Sequence, residues 1–210
     1  MNIIEAYIKF KGHLVILISG ISGSGKTKLA KNISEIFKIR HVDMNEYCKP
    51  DYSEKVKLLQ DIELINWDSD DVYDWNKFNG DMKELISSGV VVSGVAFPTD
   101  KIKFPVDFHI QVKLSKQNLY KKRQKYLDEH KKDCQEINRN IDKDIEYTVF
   151  NQLTYTYYLD VTNRSTINKF IYANDYVDMD NESYDIKVYD ETFEYLISEI
   201  EKYLYSRQKN

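Results

Sequence analysis

Cysteine is nearly missing from this chain: there are two, Cys48 and Cys134, far apart and outside any paired motif. That scarcity excludes a disulfide framework and a zinc knuckle, and it matches a reducing, cytoplasmic compartment. Proline is as sparse, at three residues, and no Pro- or Gly-rich linker divides the sequence. No apolar stretch is long. The most apolar run, Leu14-Val15-Ile16-Leu17-Ile18, is far too short to cross a bilayer, so neither a membrane partner nor a signal peptide is expected. A surplus of positive charge is missing too: 30 Lys and Arg face 34 Asp and Glu, a net charge of -4. That balance argues against a broad basic face for an extended nucleic acid.

What is present is globular. Hydrophobic residues make up 42% and charged ones 30%, which fits one domain over residues 1–210 with a single substantial core. Tyrosine is abundant at seventeen, scattered among Asn, Lys and Ile, and reads as compositional bias rather than a stacking function.

His13–Ser19 reads as a buried strand, and Lys26–Phe37 as a helix with Leu29, Ala30, Ile33 and Phe37 on one face. Ile39–Val42 is a short second strand ending at Asp43. The strand–loop–helix–strand order predicts an α/β fold with a parallel sheet and helices on its faces. Further on, the spacing predicts helices over Tyr52–Trp67 and Trp75–Ser88, with Gly89 as a stop, then strands at Val90–Val92 and Phe108–Leu114. Ser115–Tyr147 is charged and helical in propensity. Asn163–Asp180 gives no clear pattern, Asp185–Tyr189 reads as a last strand, and Glu191–Tyr205 as a closing helix.

Gly20-Ile21-Ser22-Gly23-Ser24-Gly25-Lys26-Thr27 matches G-x-x-x-x-G-K-[ST] at every fixed position. Small residues let successive backbone N–H groups wrap a phosphate, and the helix that follows aims its N-terminus at the same anion. Lys26 reaches the terminal phosphates, and Thr27 is the candidate magnesium ligand. The loop follows a buried strand and opens an amphipathic helix, which is the context the motif requires. A nucleoside triphosphate, ATP with Mg2+, is the expected ligand.

Asp43 lies at the carboxyl end of the second strand, where open parallel sheets bind their ligands. It reads either as the base that takes the proton of an attacking hydroxyl or as a turn-capping aspartate. Tyr155, Tyr157 and Tyr158 either stack a base or pack on a helix, and Trp67 and Trp75 either line an acceptor pocket or anchor the adjoining helix. Arg139 and Arg164 are cationic residues that nothing local ties to the site.

Four stretches in order resemble the uridine kinase family and the related nicotinamide riboside kinases. They are the P-loop; Asp43 with Tyr47, similar to Asp-x-Phe-Tyr; Trp67-Asp68-Ser69-Asp70-Asp71-Val72-Tyr73-Asp74-Trp75, similar to Asp-x-Pro-x-x-Phe-Asp; and Val90-Val91-Val92-Ser93-Gly94-Val95-Ala96-Phe97, similar to an apolar strand ending Glu-Gly-x-x-x-Phe. The likeness covers roughly residues 13–126. It implies a P-loop NTPase fold, three-layered α/β/α, with a five-stranded parallel sheet and a helical lid at about 115–150. It further implies an ATP-dependent kinase that phosphorylates the primary hydroxyl of a nucleoside or similar small acceptor. Asp43 would face that hydroxyl, and Arg123 would close over the phosphates from the lid, whereas Lys121, Lys122 and Lys125 read as a solvated face.

This chain departs from the family at Ser93, where the family has Glu, and at Tyr47, one residue late. The Ser93 change leaves the missing carboxylate to Asp68, Asp70 or Asp71, to magnesium held by Thr27 and the phosphates, or to weakened catalysis. Two other outcomes therefore stand beside the nucleoside kinase: another P-loop phosphotransferase acting on a nucleoside monophosphate, vitamin or sugar, and a nucleotide-binding module with little turnover.

Overall fold

Two polar residues launch the first helix. The Asn2 side chain accepts from the Glu5 amide at 2.9 Å while Glu5 accepts from the Asn2 amide at 3.0 Å, a capping box that starts α1 (Ile3–Lys11). Apolar periodicity is short there, and this helix is not foreseen from the sequence. The computed structural model describes residues 2–58, 63–129 and 143–208.

The chain continues through β1 (Val15–Ser19), α2 (Lys26–Phe37), β2 (Arg40–Asp43), β3 (Lys55–Lys57), β4 (Glu63–Ile65), α3 (Trp75–Leu85), β5 (Val90–Gly94) and β6 (Phe108–Lys113). After these come α4 (Lys116–Glu129), α5 (Lys143–Val149), a π-helical turn (Phe150–Thr154), α6 (Tyr155–Asn163), β7 (Lys169–Tyr172) and α7 (Asn181–Gln208). Five strands form one parallel sheet in the order β2-β5-β1-β6-β7. Alternation along β1 separates two cores. Ile16 and Ile18 pack with Tyr7 of α1, Ile33 of α2 and Leu196 of α7, whereas Val15 and Leu17 pack with Phe78 and Met82 of α3. Helices therefore cover both faces, and the fold is the three-layer α/β/α arrangement of P-loop NTPases.

The expected helix over Tyr52–Trp67 is absent from the described part of that stretch. β3 and β4 form an antiparallel pair there, with Val56 opposite Leu64. Lys55-Val56-Lys57 alternates polar and half-buried apolar residues, a two-residue period that wins over the three-residue spacing of Val56, Leu59, Ile62 and Ile65 in the sequence.

The last strand is also misplaced by the sequence. Asp185–Tyr189 lies inside α7, where Tyr184, Val188, Thr192, Leu196 and Ile200 repeat every fourth residue and are each at most 2% exposed. Asp180 caps this helix by accepting from the Ser183 amide at 2.9 Å. The fifth strand is instead β7, inside the segment that gave no clear pattern. Its polar flanks clip it into the sheet: Asn168 Oδ1 accepts from the His109 amide, and Asn174 Oδ1 accepts from the Ser115 amide, both at 2.7 Å.

Candidate functional site

The phosphate loop leaves β1 under close restraint. The Gly20 amide donates to the carbonyls of Gly94 and Val95 at 3.2 and 3.1 Å, which ties the loop to the end of β5. Gly23 and Gly25 have φ of 86° and 84°, left-handed values that any Cβ would strain. At Gly23 a Cβ would also sit 2.6 Å from the Lys122 carbonyl oxygen of α4. Gly25 is the N-cap of α2 and carries no side chain, so no side-chain cap covers the first-turn amides.

A cleft of about 620 Å³ opens over this loop, lined by Ser22, Gly23, Gly25, Lys26 and Thr27 from the motif and by Asp43 from β2. Gly20, Ile21 and Ser24 shape the loop from beneath, Ile21 and Ser24 being fully buried. Burial draws the Lys26 ammonium down to a pKa of about 8, and the Asp43 carboxylate opposes that shift. The Thr27 hydroxyl faces Asp43 Oδ2 at 3.5 Å. The other carboxylate oxygen, Oδ1, accepts from the Asn45 amide at 3.0 Å, so Asp43 also caps the turn that follows β2. Asp43 thus caps the turn, as one of its two sequence readings has it, and lines the cleft as well.

Ser93 lies opposite Asp43 in the sheet register and is fully buried. It bonds His41 Nε2 at 3.0 Å, and burial lowers the pKa of that imidazole, partly offset by Asp43. The carboxylate missing at Ser93 is not replaced by the acidic stretch. Asp68 Oδ2 accepts from Thr154 at 2.7 Å, and Asp70 accepts from Tyr157 at 3.1 Å and pairs with Arg164 at 2.9 Å. Asp68, Asp70 and Asp71 line no part of the cleft. Among the described residues no group of three or more His, Cys, Asp or Glu side chains could hold a metal.

The cationic residues divide differently from the sequence expectation. Arg123 is 4% exposed and donates from Nε to Glu146, which is 5% exposed, so its guanidinium joins α4 to α5, and Arg123 is not among the residues that line the cleft. Lys122 and Lys125, read as a solvated face, line the cleft. The Lys122 ammonium lies 3.5 Å from the centroid of the Tyr184 ring, and burial lowers its pKa against the pull of Asp185. Arg164 is held by Asp70, Asp100 and Asp160, away from the cleft. Arg139 and Cys134 fall outside the described residues.

Tyr47 packs edge-on against Phe78 and donates to Asp81 at 3.1 Å, a contact with α3. Tyr158 is buried and Tyr155 packs against Phe150, while Trp75 anchors its helix through Nε1 on the Asp70 carbonyl at 2.9 Å. Sequence reasoning missed Tyr184 and Asp185, which line the cleft from the first turns of α7. The Tyr184 hydroxyl donates to the Ser24 carbonyl at 3.1 Å, and Asp185 Oδ2 pairs with Lys28 Nζ at 2.7 Å. The four-residue stripe beginning at Tyr184 was the signal for that helix.

No protein-family model matches the sequence, and no curated protein does. Solved structures that align along most of the chain include two kinases. A gluconokinase from Sinorhizobium meliloti 1021 is similar at 13% identity over 92% of this chain and 97% of its own, with a TM-score of 0.49. A shikimate kinase from Bacteroides thetaiotaomicron is similar at 10% identity over 88% and 98%, with a TM-score of 0.45. The assignment of the fold rests on this chain's own strand order and phosphate loop. No helix among the described residues is long and apolar enough to cross a membrane.

Proposed function

We propose that the chain is a magnesium-dependent kinase that transfers the γ-phosphoryl group of ATP to a hydroxyl of a small acceptor. The observation that carries this reading is the meeting of Lys26, Thr27 and Asp43 in one cleft above the glycine loop, with Thr27 Oγ1 and Asp43 Oδ2 3.5 Å apart. Neighbouring ligands of an octahedral Mg2+ with bonds of about 2.1 Å stand roughly 3 Å apart, so these oxygens fit one ion after a small adjustment. Magnesium held there would neutralise charge on the outer phosphates.

The remaining work belongs to the protein. Loop amides and the first turn of α2 cradle the phosphates, and Lys26 supplies a positive charge beside the γ-phosphate. Lys122 and Lys125 add charge from α4 in the place expected for Arg123. An acceptor hydroxyl entering beside Asp43 and Asn45 attacks the γ-phosphorus through its oxygen, the bond to the β–γ bridging oxygen breaks, ADP leaves with that electron pair, and the hydroxyl proton is released to water. Asp43 has one oxygen toward Thr27 and the other on a backbone amide, which supports a metal-holding role over that of a free base.

The order of the motifs supports a nucleoside-like acceptor. A second reading, a different small acceptor such as a sugar or vitamin, is favoured by Tyr47, Asp68 and Asp70: these are spent on Asp81, Thr154, Tyr157 and Arg164 rather than directed at the cleft. The deciding experiment follows ADP release from Mg-ATP across nucleosides, nucleoside monophosphates, sugars and vitamin alcohols. A response to one acceptor class, abolished by Lys26→Ala, is expected. ATP binding without any acceptor response would replace the kinase by a nucleotide-binding module.

A further inference from the structure

Two groups of side chains line the cleft. Thr27, Asp43 and Asn45 form one; Lys122, Tyr184 and Asp185, contributed by α4 and α7, belong to the other. The first holds the fit for magnesium and for the outer phosphates, which leaves the second for the rest of a nucleotide.

Asp185 shares the cleft with Lys26, Lys28, Lys31, Lys122 and Lys125, and with the acids Asp43 and Glu129. A carboxylate repels phosphate oxygens, so beyond its pair with Lys28 it suits a neutral part of the ligand that donates hydrogen bonds. Its placement is fixed. Oδ2 is bound by Lys28 Nζ at 2.7 Å, and Oδ1 lies 3.3 Å from the point where Gly25 would carry a Cβ, so the carboxylate rests against the last glycine of the loop. The side chain is 19% exposed, which leaves it accessible from the cleft.

Lys28 is the next residue after Thr27 in the first turn of α2. With Lys26 and Thr27 serving the outer phosphates, the α-phosphate falls toward Lys28. The ribose, joined to the α-phosphorus through one oxygen and one methylene group, then comes beside the partner of Lys28. Its 2′- and 3′-hydroxyls are adjacent neutral donors, which a carboxylate accepts together. Tyr184, 1% exposed and covered by Lys122, offers no free ring face there, so the polar group beside it is the available recognition element.

We propose that Asp185 is a specificity-determining residue that binds the ribose diol of the nucleotide, so that the site selects ribonucleoside over 2′-deoxyribonucleoside triphosphates. The inference rests on the nucleotide-site reading above. Lys28 is the positioning residue that turns the carboxylate toward the cleft.

The test is the ratio of dissociation constants for Mg-ATP and Mg-2′-deoxyATP, measured by calorimetry on the full chain. Wild-type protein should bind ATP more tightly on the order of tenfold, the value of one hydrogen bond to a charged group. Asp185→Ala should bring the ratio to about one, while a general change in charge would move both ligands together and leave the ratio intact. Equal affinities in the wild type, with both lost in Lys26→Ala, would overturn the proposal and leave the nucleotide site standing. An unchanged ratio in Asp185→Ala would also overturn it, assigning the carboxylate to the Lys28 pair alone. Failure of the wild type to bind either nucleotide would remove the nucleotide site and the proposal with it.

Discussion

Arg123 donates from Nε to Oε1 of Glu146, and both side chains are buried between α4 and α5. A buried ion pair tolerates joint replacement better than the loss of one partner, because a single deletion leaves a charge without compensation. Glu146→Ala should therefore destabilise the protein by about 3–5 kcal/mol. Arg123→Met with Glu146→Leu should recover most of that loss. Urea denaturation of the three proteins measures both, and a Glu146→Ala midpoint equal to wild type would show that the pair holds nothing together.

Lys122, the neighbour of Arg123 in sequence, is expected to act on the ligand. Lys122→Ala should weaken ATP binding roughly tenfold through the loss of one charge-assisted contact, while its unfolding midpoint stays near that of the wild type. Side-by-side titrations with nucleotide and with urea separate this behaviour from that of Arg123. A large stability loss without an affinity change would put Lys122 in the structural class.

Asp43→Asn tests what the carboxylate opposite Thr27 does. As a metal-holding group its loss should raise the magnesium concentration needed for half-maximal turnover, and excess Mg2+ should restore part of the activity. A pure proton acceptor would lower turnover by about a hundredfold or more with no change in magnesium requirement.

Gly23→Ala probes the approach of α4 to the phosphate loop. The left-handed backbone costs about 1–2 kcal/mol for a non-glycine residue, and the new methyl group would stand 2.6 Å from the Lys122 carbonyl oxygen. The variant should be less stable and should bind ATP more weakly. Thermal melting with and without nucleotide is the readout, and wild-type affinity in this variant would mean that α4 moves aside at little cost.

His109 supplies a pH dependence independent of the cleft. It is 1% exposed, accepts from or donates to Ser19 at Nε2, and contacts the Thr166 carbonyl through Nδ1. Burial lowers its pKa to about 4, against the favourable effect of that carbonyl. The unfolded chain, titrating near the ordinary value, therefore binds more protons between about pH 6.5 and pH 4. The stability contributed by a neutral His109 is present above that window and is lost as pH falls through it, by roughly 3 kcal/mol. His109→Gln should show a shallower fall in unfolding free energy between pH 6.5 and 4; parallel curves would exclude this residue as the acid-sensitive group.

The parts of the fold legible in advance are those whose signals are local. The P-loop is a contiguous motif, and β1, α2 and β5 announce themselves through runs or periodicities that their own residues complete. β7 did not, because Lys169 and Phe170 are only partly buried and its register depends on Asn168 and Asn174 meeting β6 and the start of α4. The strand expected at Asp185–Tyr189 failed for a related reason: its tyrosine and valine favour strands, yet Tyr184 and Val188 belong to a buried helical stripe reaching Ile200.

The site divides along the same line. By itself the sequence determined a phosphate loop, its lysine and threonine, and an acid at the end of the second strand, because backbone geometry and spacing along one stretch of chain suffice for these. Only the tertiary structure decided which cation of Lys122 and Arg123 meets the cleft, since neighbouring residues on a helix point in directions set by what packs around them. It also brought Asp185 to Lys28 across most of the chain, a contact that no local pattern encodes because it is created by the docking of α7 against the loop.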